Sequence, residues 1–108
     1  MATLVAQSIV RAGLEPAYEA CAALGDEFAN TGDEFIHIKN GAVAAQTVTI
    51  ETPATVDGLA VADRAVEIPA SEDRMIGPFP ASTYNDGEGL VQLTYDAVVT
   101  LTIAIITI

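Results

Sequence analysis

The last six residues, Ile103-Ala104-Ile105-Ile106-Thr107-Ile108, place apolar side chains on both faces of any strand they form. Side chains alternate across a strand, so Ile103 and Ile105 point one way while Ile106 and Ile108 point the other. A strand apolar on both faces is either central in its own sandwich or packed against another chain. Left as an open edge it would template aggregation. A membrane helix is a poor alternative. The apolar stretch from Ala97 to Ile108 is twelve residues long and interrupted by Thr100, Thr102 and Thr107, whereas a span needs about 20 residues. The chain is therefore expected to be soluble, with this segment covered by protein and no membrane partner.

The rest of the chain keeps the same short period. Thr47-Val48-Thr49-Ile50-Glu51 alternates polar and apolar, as a half-buried strand does. In Phe35-Ile36-His37-Ile38-Lys39, the two isoleucines share one face and Phe35, His37 and Lys39 the other. Val91, Leu93 and Tyr95 oppose Gln92 and Thr94. Shorter candidates are Leu4–Val10, Pro16–Ala22, Val56–Val61, Ala65–Ile68 and Arg74–Pro78. Asn40-Gly41, Asp57-Gly58 and Asp86-Gly87 are turn signals that favour positive φ. Pro53, Pro69, Pro78 and Pro80 close apolar runs, where a missing N–H costs no ladder bond. Pro16–Leu24 is Ala-rich and fits a helix as well as a strand. Eight or nine short strands in 108 residues predict an all-β fold. The expectation is a single-domain β-sandwich over residues 1–108, jelly-roll-like or a small barrel.

Charge narrows the function classes. Fifteen acids face four bases, for a net charge of −11. The bases Arg11, Lys39, Arg64 and Arg74 are scattered singly, so nothing resembles the clustered cations that neutralise phosphates. No nucleic-acid partner is expected, and an anionic membrane would repel the chain. The single Cys21 excludes an intrachain disulfide framework. The start lacks a basic segment ahead of its apolar stretch, so no signal peptide is expected.

Catalytic chemistry has little to build on. His37 is the only histidine, and a triad needs a nucleophile and an orienting acid brought to it. The acidic pairs Asp26-Glu27, Asp33-Glu34 and Glu72-Asp73, with Asp86-Gly87-Glu88, lack the ligand spacing of a calcium loop. Without tryptophan, glycosidase subsites are not indicated. Gly87-Glu88-Gly89 and Gly77-Pro78 are not followed by a helix that could cradle phosphate. Cys21 reads as a small buried hydrophobe. No catalytic residue, metal or cofactor is expected, and the protein is not expected to be an enzyme. What demands a partner is apolar surface at the two ends. Leu4, Val5 and Ile9, with Ile103, Ile105, Ile106 and Ile108, are the candidate interface residues.

From Phe35 to Tyr95 the chain resembles small virion proteins of tailed bacteriophages. The elements that carry the likeness are Lys39-Asn40-Gly41, Thr47-Val48-Thr49, Pro69-Ala70, Gly77-Pro78-Phe79 and Tyr84-Asn85 ahead of Leu90-Val91-Gln92-Leu93-Thr94-Tyr95. Ser71-Glu72 departs from the pattern, which carries glycine in that turn. The resemblance implies a β-sandwich on the phage particle, as a capsid decoration or cement protein that stabilises the major-capsid shell from outside. Its implied partners are the major capsid protein and further copies of itself, as a small homo-oligomer. Its implied place is the capsid exterior, after synthesis in the host cytoplasm. A head–tail connector or tail component is the alternative. A soluble ligand- or glycan-binding β-sandwich is the alternative from another class.

Overall fold

The structure, a computed structural model, describes residues 2–108. In chain order its elements are β1 (Ala2–Leu4), β2 (Gln7–Ser8), β3 (Glu19–Ala20), β4 (Asp26–Ala29), β5 (Glu34–Asn40) and β6 (Gln46–Ile50). There follow β7 (Thr55–Val56), β8 (Leu59–Ala60), β9 (Arg64–Ile68), β10 (Asp73–Ile76), the single turn α1 (Ala81–Tyr84), β11 (Leu90–Tyr95) and β12 (Leu101–Thr107). The first sheet runs β1-β4-β11-β6-β9. The second runs β10-β5-β12-β2, with β3 also paired to β12, and β7-β8 is a separate hairpin. Neither sheet closes into a barrel, so the sandwich is the form the chain takes.

The two-sided apolar segment becomes the centre of the second sheet. β12 pairs antiparallel with β5 along its whole length, from Leu101 opposite Asn40 to Thr107 opposite Glu34. Its other edge is shared, with β3 at Thr102–Ile103 and the parallel β2 at Ile106–Thr107. Leu101, Ile103 and Ile105 join Ile36 and Ile38 in a buried core with Phe28, Val48, Ile50, Val91 and Leu93 of the first sheet. Each such side chain contributes about 1.5–3 kcal/mol by leaving water. Ala104 and Ile106, on the opposite side of β12, are covered as well. The chain thus hides most of this segment by itself.

Some local readings hold in the structure and others change. Of the two readings of Pro16–Leu24 the structure takes the strand, as β3, with a turn at 23–24, and the one helical turn lies at Ala81–Tyr84. β4 begins at the acidic pair Asp26-Glu27, which is not among the strand candidates of the sequence. There Asp26 is fully buried, and its Oδ2 accepts from the Ala22 N–H at 3.1 Å and the Tyr95 hydroxyl at 2.7 Å. Asp57-Gly58 is the expected two-residue turn, with φ of 53° and 76°, the type I′ geometry that suits a tight hairpin. Asn40-Gly41 works differently. Gly41 is required by a close approach, since a Cβ there would lie 2.8 Å from Thr100 Cγ2. Ser71 adopts a left-handed φ of 61°.

Candidate interaction surfaces

Alternation hands each sheet an outer face, and the two differ in chemistry. Strand register aligns Thr94, Thr49 and Ala65 across the first sheet, with Gln92 opposite Glu27 and Thr47 opposite Glu67. Glu27 is held in place by the Thr3 hydroxyl at 3.0 Å and Gln92 Nε2 at 3.1 Å. The outward strand positions here carry acids and no lysine or arginine. Water satisfies such a face.

On the second sheet, Met75, His37 and Ala104 form one outward row, Asp73, Lys39 and Thr102 another, and Phe35 sits beside Ile106. One half of this face is closed by Tyr18. The Tyr18 hydroxyl and His37 Nδ1 share a hydrogen bond at 2.6 Å, and His37 Nε2 donates to Asp73 Oδ2 at 2.8 Å. Lys39 Nζ lies 4.1 Å from the Tyr18 ring centroid, within cation–π range. The hydrogen bond from His37 is the main reason the Asp73 carboxyl sits below its ordinary range, with the Lys39 charge helping. The other half of the face stays open. Met75 is 68% exposed and Ile108 88%, and with Asp33, Phe35, Gly77 and Pro78 they line a hollow of about 270 Å³. Gly77 lets its segment pack closely on β5, because a Cβ there would come 2.7 Å from Phe35 Cβ.

The second candidate surface is a tip built from the loops 41–45 and 96–100. Buried Asn40, at the end of β5, donates through Nδ2 to the carbonyls of Ala44 and Ile68 at 2.9 and 3.0 Å. Its Oδ1 accepts from the Ala42 N–H at 2.9 Å and from Gln46 Nε2 at 2.8 Å. Gln46 reaches across to the other loop, donating to the Val99 carbonyl at 2.7 Å and accepting from the Val99 N–H at 2.8 Å. Thr100 adopts a φ of 49°, a strained conformation for a β-branched residue. Such strain persists only where the surroundings enforce it, and here Gly41 N–H binds the Thr100 carbonyl at 3.0 Å. This buried polar bracket holds Val43 and Val99 out in solvent, at 97% and 64% exposure. They flank a depression of about 410 Å³ lined by Gly41–Gln46, Ala97, Val99 and Thr100.

The residues singled out at the chain ends divide. Leu4, Ile103 and Ile105 belong to the core and Ile106 is buried beside it, so the chain's own strands cover them. Val5, Ile9 and Ile108 remain exposed, and the Ile9 N–H binds the Thr107 carbonyl at 2.9 Å, which brings Ile9 next to Ile108. Phe35, Met75, Val43 and Val99 are additions from the structure. Cys21 is buried, and burial, with the Asp26 charge adding to it, pushes its thiol up to about 12. Among the described residues no group of three or more His, Cys, Asp or Glu is placed to hold a metal ion. Comparison with protein-family models, curated proteins and solved structures finds no match to this chain.

Proposed function

We propose that the protein is a structural component of a phage virion, a capsid decoration or cement protein that binds the major capsid protein from outside the shell. The observation that carries this reading is the tip. Loops that position function on a rigid scaffold are the usual recognition elements of β-sandwiches, and a buried bracket that fixes two exposed valines has the form of a preorganised contact. The likeness from Phe35 to Tyr95 supports the same class. Binding is associative, with many weak copies summing over a shell through avidity.

The experiment is co-sedimentation with shells lacking the protein. The parent should saturate at hundreds of copies, and Val43→Asp with Val99→Asp should reduce binding at least tenfold, roughly 1.4 kcal/mol, without altering the melting temperature. Wild-type binding by the double variant would remove the tip from the account. Saturation at about six or twelve copies would move the protein to a head–tail connector.

A further inference from the structure

We propose that Asn40 is a site of spontaneous covalent modification, deamidation, which the closed tip holds off and which the opened tip does not reverse. This goes beyond the shell-binding reading and does not depend on it, since mass and amide exchange are read on the isolated protein. The sequence supplies the reactive pair. In Asn40-Gly41 the glycine has no Cβ to crowd the approach of its own nitrogen to the asparagine side chain. That nitrogen attacks Asn40 Cγ and closes a five-membered imide. The Cγ–Nδ2 bond breaks, and the amine leaves as ammonia with the proton that the Gly41 nitrogen gives up. Water then opens the ring at either carbonyl, leaving aspartate or isoaspartate. Only water is consumed. The other asparagines, Asn30 and Asn85, precede Thr31 and Asp86, whose side chains crowd the same approach.

The folded tip holds the reacting atoms apart. Asn40 is 2% exposed, and its leaving nitrogen donates to the carbonyls of Ala44, Ile68 and Pro69 at 2.9, 3.0 and 3.4 Å. The Ala42 N–H and Gln46 Nε2 already sit on Oδ1, as donors would on the oxygen of an attacked amide. The carbonyl is therefore ready, and the block lies with the nucleophile. The Gly41 N–H is bonded to the Thr100 carbonyl at 3.0 Å. Asn40 itself belongs to β5, paired opposite Leu101. Closing the imide needs Asn40 Cβ and the next nitrogen eclipsed about the Cα–C bond, and extended backbone turns them well apart.

Either product breaks the bracket. The new carboxylate puts an acceptor where Nδ2 donated, against the Ala44 and Ile68 carbonyl oxygens, and a buried polar group without a partner is costly. Isoaspartate adds a backbone atom ahead of Gly41, where even a Cβ would lie 2.8 Å from Thr100 Cγ2. Conversion thus follows opening and then keeps the tip open.

The test incubates the native protein at mildly alkaline pH beside the same protein unfolded in guanidinium. It follows the amide-to-acid mass gain in the peptide that carries Asn40. Isomerisation at Asp57-Gly58 or Asp86-Gly87 changes no mass and does not interfere. When opening is fast relative to the chemistry, the rate tracks the open population, so Asn40 should convert at least tenfold more slowly in the native protein. Gln46→Ala cuts the tie to Val99 and should raise the native rate at least tenfold, in step with faster exchange of the Gly41 amide, while Asn30 does not follow. Asn40→Asp, shown to be folded by a thermal melt, should raise exchange around Val43 and Val99. Equal rates in the native and unfolded chains overturn the inference, and that comparison needs no variant, so it stands even if Gln46→Ala fails to fold. Faster Gly41 exchange in Gln46→Ala without faster conversion also overturns it. So does wild-type exchange in Asn40→Asp, because conversion would then leave the tip closed.

Discussion

On the first sheet the residues that alternate with Val48, Ile50, Val91 and Leu93 are Thr47, Thr49, Gln92 and Thr94. On the second, those that alternate with Ile36, Ile38, Ile103 and Ile105 are Phe35, His37, Ala104 and Ile106. Both sheets bury the same kind of inner row, and both would fold equally well by that criterion. Their outward rows answer to different demands. Threonine on an outer row can bond to water, and Gln92 bonds to Glu27 and Asp86, while Phe35, Met75 and Ile108 gain nothing from water. The inward half of a strand pattern therefore reports folding, and the outward half reports what the finished surface meets.

The largest effect expected is on the shared interior. Ile103→Ala should cost about 2–5 kcal/mol in denaturant unfolding, a large share of the 5–15 kcal/mol typical of a domain. Thr49→Ala, on the outer row of the first sheet, should stay within about 0.5 kcal/mol. Comparable losses at the two positions would mean that the inner and outer rows have been misassigned.

A smaller loss is expected at the tip. Asn40→Ala removes donors from the Ala44 and Ile68 carbonyls and the acceptor for Gln46 Nε2. Leaving such buried groups unpaired costs about 1–3 kcal/mol. Unlike Ile103→Ala, it should also raise amide exchange in the loops around Val43 and Val99. Unchanged exchange there would show that the bracket does not hold the tip.

The smallest effect sharpens the comparison through pH. Burial works against the Glu34 charge. Yet the Thr31 N–H and hydroxyl, with a further hydrogen bond to Thr107, hold its carboxyl below the ordinary range. Asp73 is lowered chiefly by His37, and Asp86 by the Leu90 and Glu88 N–H groups. A carboxylate lowered by folding stabilises the native state above its unfolded pKa, about 4 for these groups. That stabilisation is lost as pH falls through the lower folded value. Melting temperature should therefore hold level down to about pH 5 and fall below about pH 4, with Glu34→Gln flattening the fall. A fall that begins near neutrality would assign the acid response to other groups.

Much of this asymmetry could be read in the chain itself. β5, β6, β11 and β12 were legible because their alternation is strict and their inner residues are β-branched or Leu. β4 was not, since Asp26-Glu27 looks like a solvated turn until the Tyr95 hydroxyl, from 69 residues away, joins the nearby Ala22 N–H on Oδ2 of the buried Asp26. Val5, Ile9 and Ile108 were legible as apolar ends. Ile103, Ile105 and Ile106 looked the same in sequence, and only the pairing of β12 with β5, β3 and β2 separates the covered from the open. Met75 joins Phe35 through the β10–β5 register, which local spacing does not encode. Val43 and Val99 lie 56 residues apart in sequence and meet only through Asn40 and Gln46.

Hydroxyl-radical footprinting of the free protein at low concentration, and of the protein assembled on shells, addresses the two faces together. The account predicts protection at Val43, Val99, Phe35, Met75 and Ile108 on assembly, with labelling of Leu90, Gln92 and Thr94 unchanged. Protection over the first sheet's outer row, with Met75 and Val43 still labelled as in the free protein, would contradict it.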